Sequence, residues 1–255
     1  DEDFTVLTDL LPSDFPYTLT PVEHSTKYTI EAASVCPDGL ETPFVQTTLI
    51  VPCGINSVPW TEDFSRNLYT IQPSCWTRVS GTVPESGIIQ TPPQPSTANF
   101  TYENSTIGTD YVTALRVNMS GNRNEWLISP SIDLEDGSTT YGLSFNMMRL
   151  GPVISDPNVK FIVLFSTDNG LTWDMADAHI YGNEDENANF HLSDVGGSWI
   201  RQIVKLVDQE NNPFEGNIKF AFHVASSSIY NAGYLLIDDI AIEQWADCLQ
   251  PQNLA

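Results

Sequence analysis

What most constrains this chain is the near absence of helical periodicity along its 255 residues. Short runs rich in Val, Ile, Phe, Tyr and Thr alternate with Gly, Pro, Asn and Asp turns throughout. Strand side chains point alternately to opposite faces, and runs punctuated this way build hairpins and sheets. The pattern predicts an all-β fold. Hydrophobic residues make up 41% of the sequence, enough to fill a core and to set aside global disorder.

Between about Ser57 and Gln244, strands are expected at Trp60–Phe64, Cys75–Val79, Thr113–Met119, Glu125–Ser129, Tyr141–Met148, Val159–Ser166, Trp199–Leu206, Ile218–Val224 and Tyr234–Glu243. That number over this length fits an antiparallel jelly-roll β-sandwich. Two stretches, Ser80–Asp110 and Tyr181–Gly197, lack the pattern and read as long loops, which are usually functional or mobile.

Ahead of this body, Tyr17–Ala32 alternates apolar and polar residues around a turn. Leu19, Val22, Tyr28, Ile30 and Ala32 would face a core, with Tyr28 placed to form a tyrosine corner. A hairpin follows, turning at Pro37-Asp38-Gly39 and returning near Phe44–Val51. This stretch resembles the second half of a fibronectin type III domain, a partial sandwich whose bare sheet face needs a cover. At the other end, Cys248–Leu254 resembles the opening of a further repeat. The expected division is therefore 1–54 for the fibronectin-like half, 55–245 for the jelly roll and 246–255 for the next repeat or a linker.

Ten Lys and Arg face 33 Asp and Glu, a formal net charge of -23. Such a surface repels the phosphates of nucleic acids and of anionic lipids, which excludes nucleic acid as an expected partner. No run of 18 apolar residues exists, so direct membrane insertion is not expected. The acid excess keeps a protein soluble outside the cell and supplies candidate Ca²⁺ ligands.

Within the body an ordered series of motifs recurs: Pro59–Phe64, Cys75-Trp76-Thr77, Glu125–Pro130, Leu143-Ser-Phe145, Phe161–Trp173, Trp199–Leu206, Ile218–His223 and Tyr234–Ile240. Their order and spacing resemble the cleaved-adhesin family of gingipain-type proteins and the related MAM-type jelly rolls. The resemblance implies a non-catalytic extracellular or cell-surface module that binds host protein or glycan, often calcium-stabilised and set among neighbouring repeats of a longer chain. The alternatives are a carbohydrate-binding module serving an enzyme elsewhere in the parent chain and, third, an acidic glycoside hydrolase. Ser80–Asp110 lacks the Asp-rich loop that many cleaved-adhesin members carry there.

In a jelly roll the first and last strands can be sheet neighbours, which would bring Glu62 or Asp63 near Asp238 or Asp239 as a structural Ca²⁺ site. The competing reading is that these acids cap strands or accept hydrogen bonds from loop backbone. Cys36, Cys53, Cys75 and Cys248 lack zinc spacing. A Cys53–Cys75 disulfide would staple the entry loop, as in MAM-type relatives, and Cys36–Cys53 is the rival.

Ser166–Trp173 fits the Asp-box pattern of sialidase propellers, but it occurs once, and a propeller repeats its unit. It is read as a folding hairpin. The four histidines are far apart in sequence, and no nucleophile elbow or His-Glu-x-x-His motif appears. For ligand binding, Trp60, Trp76, Trp126, Trp173 and Trp199 lie in strand-like runs and read as core, so the loop tyrosines Tyr102, Tyr111, Tyr181 and Tyr230 are the candidate contacts.

Overall fold

The computed structural model describes residues 10–246 except 12, 14, 15, 21, 25, 38, 66–74, 97–99, 108, 109, 183–189 and 229–232. Among these, the first strands are β1 (Lys27–Ala32), β2 (Val45–Ile50), β3 (Ile55–Ser57), β4 (Trp60–Glu62), β5 (Thr77–Ser80) and β6 (Ile88–Gln90). Then come β7 (Gln94–Pro95), β8 (Phe100–Ile107), β9 (Asp110–Asn118), β10 (Gly121–Ile128), β11 (Ser131–Asp133) and β12 (Tyr141–Leu150). The last are β13 (Val159–Ser166), β14 (Thr172–Asp174), β15 (His179–Tyr181), β16 (Ile200–Lys205), β17 (Asn217–Ser228) and β18 (Tyr234–Gln244). Only two 3₁₀ turns interrupt them among the described residues, so the chain is all-β.

Two sheets face each other as a jelly-roll sandwich. One runs β15-β13-β17-β10-β5-β7, with β11 and β3 attached beside β17; the other runs β16-β12-β18-β9-β8, with β4 beside β18. Pairing is antiparallel except between β11 and β3. Alternation decides what lies between the sheets. Ile218, Phe220, Phe222 and Val224 of β17 meet Leu143, Phe145 and Met147 of β12 and Leu235, Ile237, Ile240 and Ile242 of β18 in the main core. Burying each such side chain contributes about 1.5–3 kcal/mol.

The outer faces differ. Behind the larger sheet, Trp126, Ile128, Ile162, Leu164 and Ala221 form a second core with Trp173, Met175 and Ile89. These come from the small β14–β6 sheet and the adjoining turn, which cover that face. Strand β13 is therefore buried on both sides and reads as a continuous apolar run. The outer face of the smaller sheet carries only a minor cluster of Val112, Ala114, Met148 and Leu236.

The nine expected strands are all present, as β4, β5, β9, β10, β12, β13 and β16 to β18. Ser80–Asp110 is not structureless, since it contains β6, β7 and β8. The β1–β2 hairpin stands as its own two-stranded sheet. The Tyr28 hydroxyl accepts a hydrogen bond from the Glu23 N–H at 2.8 Å, the tyrosine-corner contact. Val22, Ile30 and Ala32, expected in a core, are exposed because no second sheet covers them among the described residues. Cys248–Leu254 lies outside the described residues.

Candidate functional site

Strand β18 shares one edge between two partners. Tyr234–Ile237 pairs with β9, and Ile240–Ile242 pairs with β4. On its other edge the register with β12 slips between Ser144 and Asn146. The residues left at this junction are Asp238 and Asp239. Core-facing positions are odd-numbered before it (Leu235, Ile237) and even-numbered after it (Ile240, Ile242). The strand absorbs the extra residue as a bulge does, with Asp239 at φ +48°. Strand β4 ends at the same place, where Phe64 also has φ +48°.

The four acids expected as metal ligands meet at this junction. Glu62 Oε1 accepts from the Phe64 N–H at 2.9 Å, and Oε2 from Trp76 Nε1 at 3.3 Å. Asp63 Oδ1 accepts from the Ser65 N–H, and Asp238 Oδ1 from the Asp239 N–H. Asp239 Oδ2 accepts from Asn146 Nδ2 at 2.9 Å. Burial pushes the Asp238 carboxyl up to about 7; the Asp239 N–H opposes this, and the charges of Asp239, Asp63 and Glu62 add to it. The acids therefore feel one another, yet among the described residues no three His, Cys, Asp or Glu side chains converge as metal ligands would.

Beside the junction the outer face of the smaller sheet holds a shallow cavity of about 310 Å³, lined by Thr61, Glu62, Asp63, Ser144, Asn146, Arg201, Asp239, Ile240 and Ala241. Its floor is made of small residues on β4, β12 and β18. Arg201 on edge strand β16 donates to Ser144 Oγ at 3.0 Å and lies 3.8 Å from Glu243. Trp245 lies over the same face: a Cβ built on Gly142 would come within 2.9 Å of its Cε3. Tyr141 and Leu143 face the core, so Gly142 faces outward, and its missing side chain is what admits the indole. The Trp245 N–H is pinned to the Thr140 carbonyl at 2.8 Å, and the ring is partly exposed.

The tyrosines expected as ligand contacts do not gather there. Tyr102, on β8, is half-buried and reaches the Ser65 carbonyl at 3.4 Å. Tyr111 is exposed on β9 and donates to Asn104. Tyr181 is corrected from a loop contact to a core residue: it ends β15, fully buried among Phe145, Phe161 and Phe190, because β13 draws it into the sheet. Tyr230 lies outside the described residues. Trp199 is also corrected, since it is 36% exposed. Trp245, Arg201, Ser144 and Asn146 were missed by the sequence reading. The signal was Gly142, a lone glycine inside a strand of bulky residues, which marks a close approach.

The remaining chemistry-bearing groups serve the fold. Burial pushes the Asp168 carboxyl up, but hydrogen bonds from Thr172 Oγ1, the Thr172 N–H, Ser166 Oγ and the Leu171 N–H outweigh it and hold it at about 2. His223 is fully buried against Trp126 with Nε2 on the Gly81 carbonyl and Nδ1 without a partner; burial brings it down to about 4. Cys53 and Cys75 form a disulfide, and Cys36 is free and exposed.

In fold, the chain is similar to cleaved adhesin domains of Lys-gingipain from Porphyromonas gingivalis. Two of them match at 12% and 13% identity, covering 74% and 72% of this chain and 99% and 98% of theirs, with TM-scores of 0.42 and 0.41. A xylan-binding domain of Paenibacillus barcinonensis Xyn10C matches at 11% identity over 75% of this chain and 97% of its own, with a TM-score of 0.36. No family model and no curated protein sequence matches the chain.

Proposed function

We propose that the chain is a non-catalytic recognition module of an extracellular or cell-surface protein, binding host protein or glycan. The observation that supports this is the contrast in where its reactive groups lie. His223 and Tyr181 are sealed in the cores, and Asp168 is held by its own hairpin, whereas the cavity of the smaller sheet, with Arg201, Asn146, Ser144 and Asp239 in its lining, opens to solvent. A carboxyl held near 7 among neighbouring carboxylates is also the electrostatic arrangement of a glycosidase acid. Asp238, however, does not line the cavity. No described helix is long and apolar enough to cross a membrane.

The module is tested by presenting it to arrays of extracellular proteins and of glycans, with reducing-sugar release measured in parallel. Binding without turnover is expected. Turnover of a glycan that is lost in Asp238→Asn would overturn the reading.

We further propose that a structural Ca²⁺ binds at the β4–β18 junction by drawing together carboxylates that do not converge without it. The donors are hard oxygens, and a cation drawing Asp63, Asp238 and Asp239 together would relieve the repulsion acting on Asp238. Binding to the folded state alone raises the melting temperature. Wild type is expected to melt higher in millimolar Ca²⁺ than in EGTA, and Asp239→Asn to lose most of that rise. Superimposable wild-type curves would remove the ion.

A further inference from the structure

The outer face of the smaller sheet carries more than its cavity. On β16, Ile200 packs against the main core, so Arg201 after it points away from the core, and Trp199, which immediately precedes the strand, is exposed. Trp245 lies partly exposed over Gly142. Ile200 pairs with Met147, so Trp199 falls level with Met148. Six residues of β12 separate that level from Gly142, roughly 20 Å of strand. The two indoles thus flank the polar cavity, with Ser144 and Asn146 on the strand between them.

We propose that this face is a glycan-binding groove for a neutral oligosaccharide. The inference rests on the recognition reading above and names its site and ligand class. Indole faces suit the apolar faces of sugar rings and keep a polar edge in contact with water. Between them the groove offers the donors a hydroxyl pair needs, from the Arg201 fork and the Asn146 amide, and the acceptors, from Asp239 and Ser144.

Charge selects the class. Glu62, Asp63 and Asp239 line the cavity and Glu243 stands at its rim, against the single cation Arg201. That balance, which a Ca²⁺ at the junction would reduce without reversing, disfavours uronate, sialylated or sulfated chains on a chain of net charge -23. A ligand spanning both indoles needs several sugar units, so affinity should rise with chain length.

The test is calorimetric titration of the whole chain with neutral hexasaccharides of xylose, glucose, mannose and N-acetylglucosamine, and with hexagalacturonate as the acidic control. Immobilised extracellular matrix proteins are tested beside them. The expected result is that at least one neutral hexasaccharide binds and the acidic one does not. Trp245→Ala and Arg201→Ala each weaken binding at least tenfold, and Trp199→Ala weakens it for hexamers more than for dimers. Ile88→Ala, exposed on the opposite side of the sandwich, leaves binding unchanged. Thermal melts identify any variant that fails to fold, and the edge positions Trp199 and Arg201 keep the test open if Trp245→Ala does. Neutral-sugar binding indifferent to all three variants would overturn the groove and leave the recognition reading standing. So would capture of a matrix protein with no neutral sugar bound, or binding of the acidic control alone. Silence from every sugar and every protein would overturn both.

Discussion

The two outer faces of the sandwich are built from the same residue types and do opposite things. Behind the larger sheet, Trp126 and Trp173 pack with ring centroids 5.7 Å apart and planes tilted by 59°, and both indole N–H groups are satisfied, by the Gly81 carbonyl and by Thr91 Oγ1. The β14–β6 sheet closes over them. On the smaller sheet Trp245 rests on a glycine, Trp199 is exposed, and the polar groups between them reach solvent. A tryptophan in a strand-like run is thus core or contact according to whether a further layer covers its face, which alternation alone does not reveal.

The largest effect that separates the faces is truncation of their indoles. Trp126→Ala should destabilise by about 3–5 kcal/mol, because it empties a closed space and removes the ring that His223 packs against. For a chain of this size that lowers the melting temperature by roughly 10 °C. Trp245→Ala removes a partly exposed ring and should lower it by only a few degrees. Equal losses in thermal melts would show that the smaller sheet's outer face is as structural as the other.

The disulfide should rank next. The 22-residue separation between Cys53 and Cys75 encloses β3 and β4, and so a crossing from the larger sheet to the smaller and back. Closing such a loop stabilises by about 3 kcal/mol in the chain-entropy model. The Cys53→Ser, Cys75→Ser double variant should lose about that in urea unfolding, with β4 exchanging its amide hydrogens earlier than β12. Loss of protection spread evenly over both sheets would mean that the staple does not act on the crossing.

Much of the sandwich was legible because its central strands obey a strict period of two, as in Ile218, Phe220, Phe222 and Val224. Strands such as β6 and β7 were not, since two or three residues hold too little period to read and are set by what they cover. Alternation does not resolve a bulge either. Asp238-Asp239 marked the junction by composition, but the shift of core positions from Ile237 to Ile240 appears only once β4 and β9 are seen to divide the edge of β18. Tyr181 was misplaced because its neighbours in sequence are acidic, while its neighbours in space are Phe145 and Phe161.

The smallest expected effect is the sharpest test of the two faces, because a titrating group on each acts with opposite sign. His223 lies behind the larger sheet and is brought down to about 4 from 6.5, chiefly by burial. As pH falls from 6.5 towards 4 the unfolded chain takes up a proton that the folded chain refuses, so stability is lost. Asp238, in the smaller sheet, is raised to about 7 from 3.8. As pH rises from about 4 towards 7 the unfolded chain releases a proton that the folded chain keeps, and stability is again lost. Between about pH 4 and 6.5 the two slopes oppose each other, and wild type should show a shallow profile. Asp168 does not intrude, because its carboxyl titrates near 2 and its contribution fades only below pH 4. Asp238→Asn, in EGTA, should unmask His223, so that the urea midpoint climbs steadily from pH 4.5 to 6.5. His223→Gln should leave a midpoint that declines over the same range. Asp238 is only half-buried, so salt should flatten the second slope more than the first. If Asp238→Asn and wild type give parallel profiles in low salt, the Asp238 carboxyl is not held near 7, and the charges at the β4–β18 junction do not crowd one another as described.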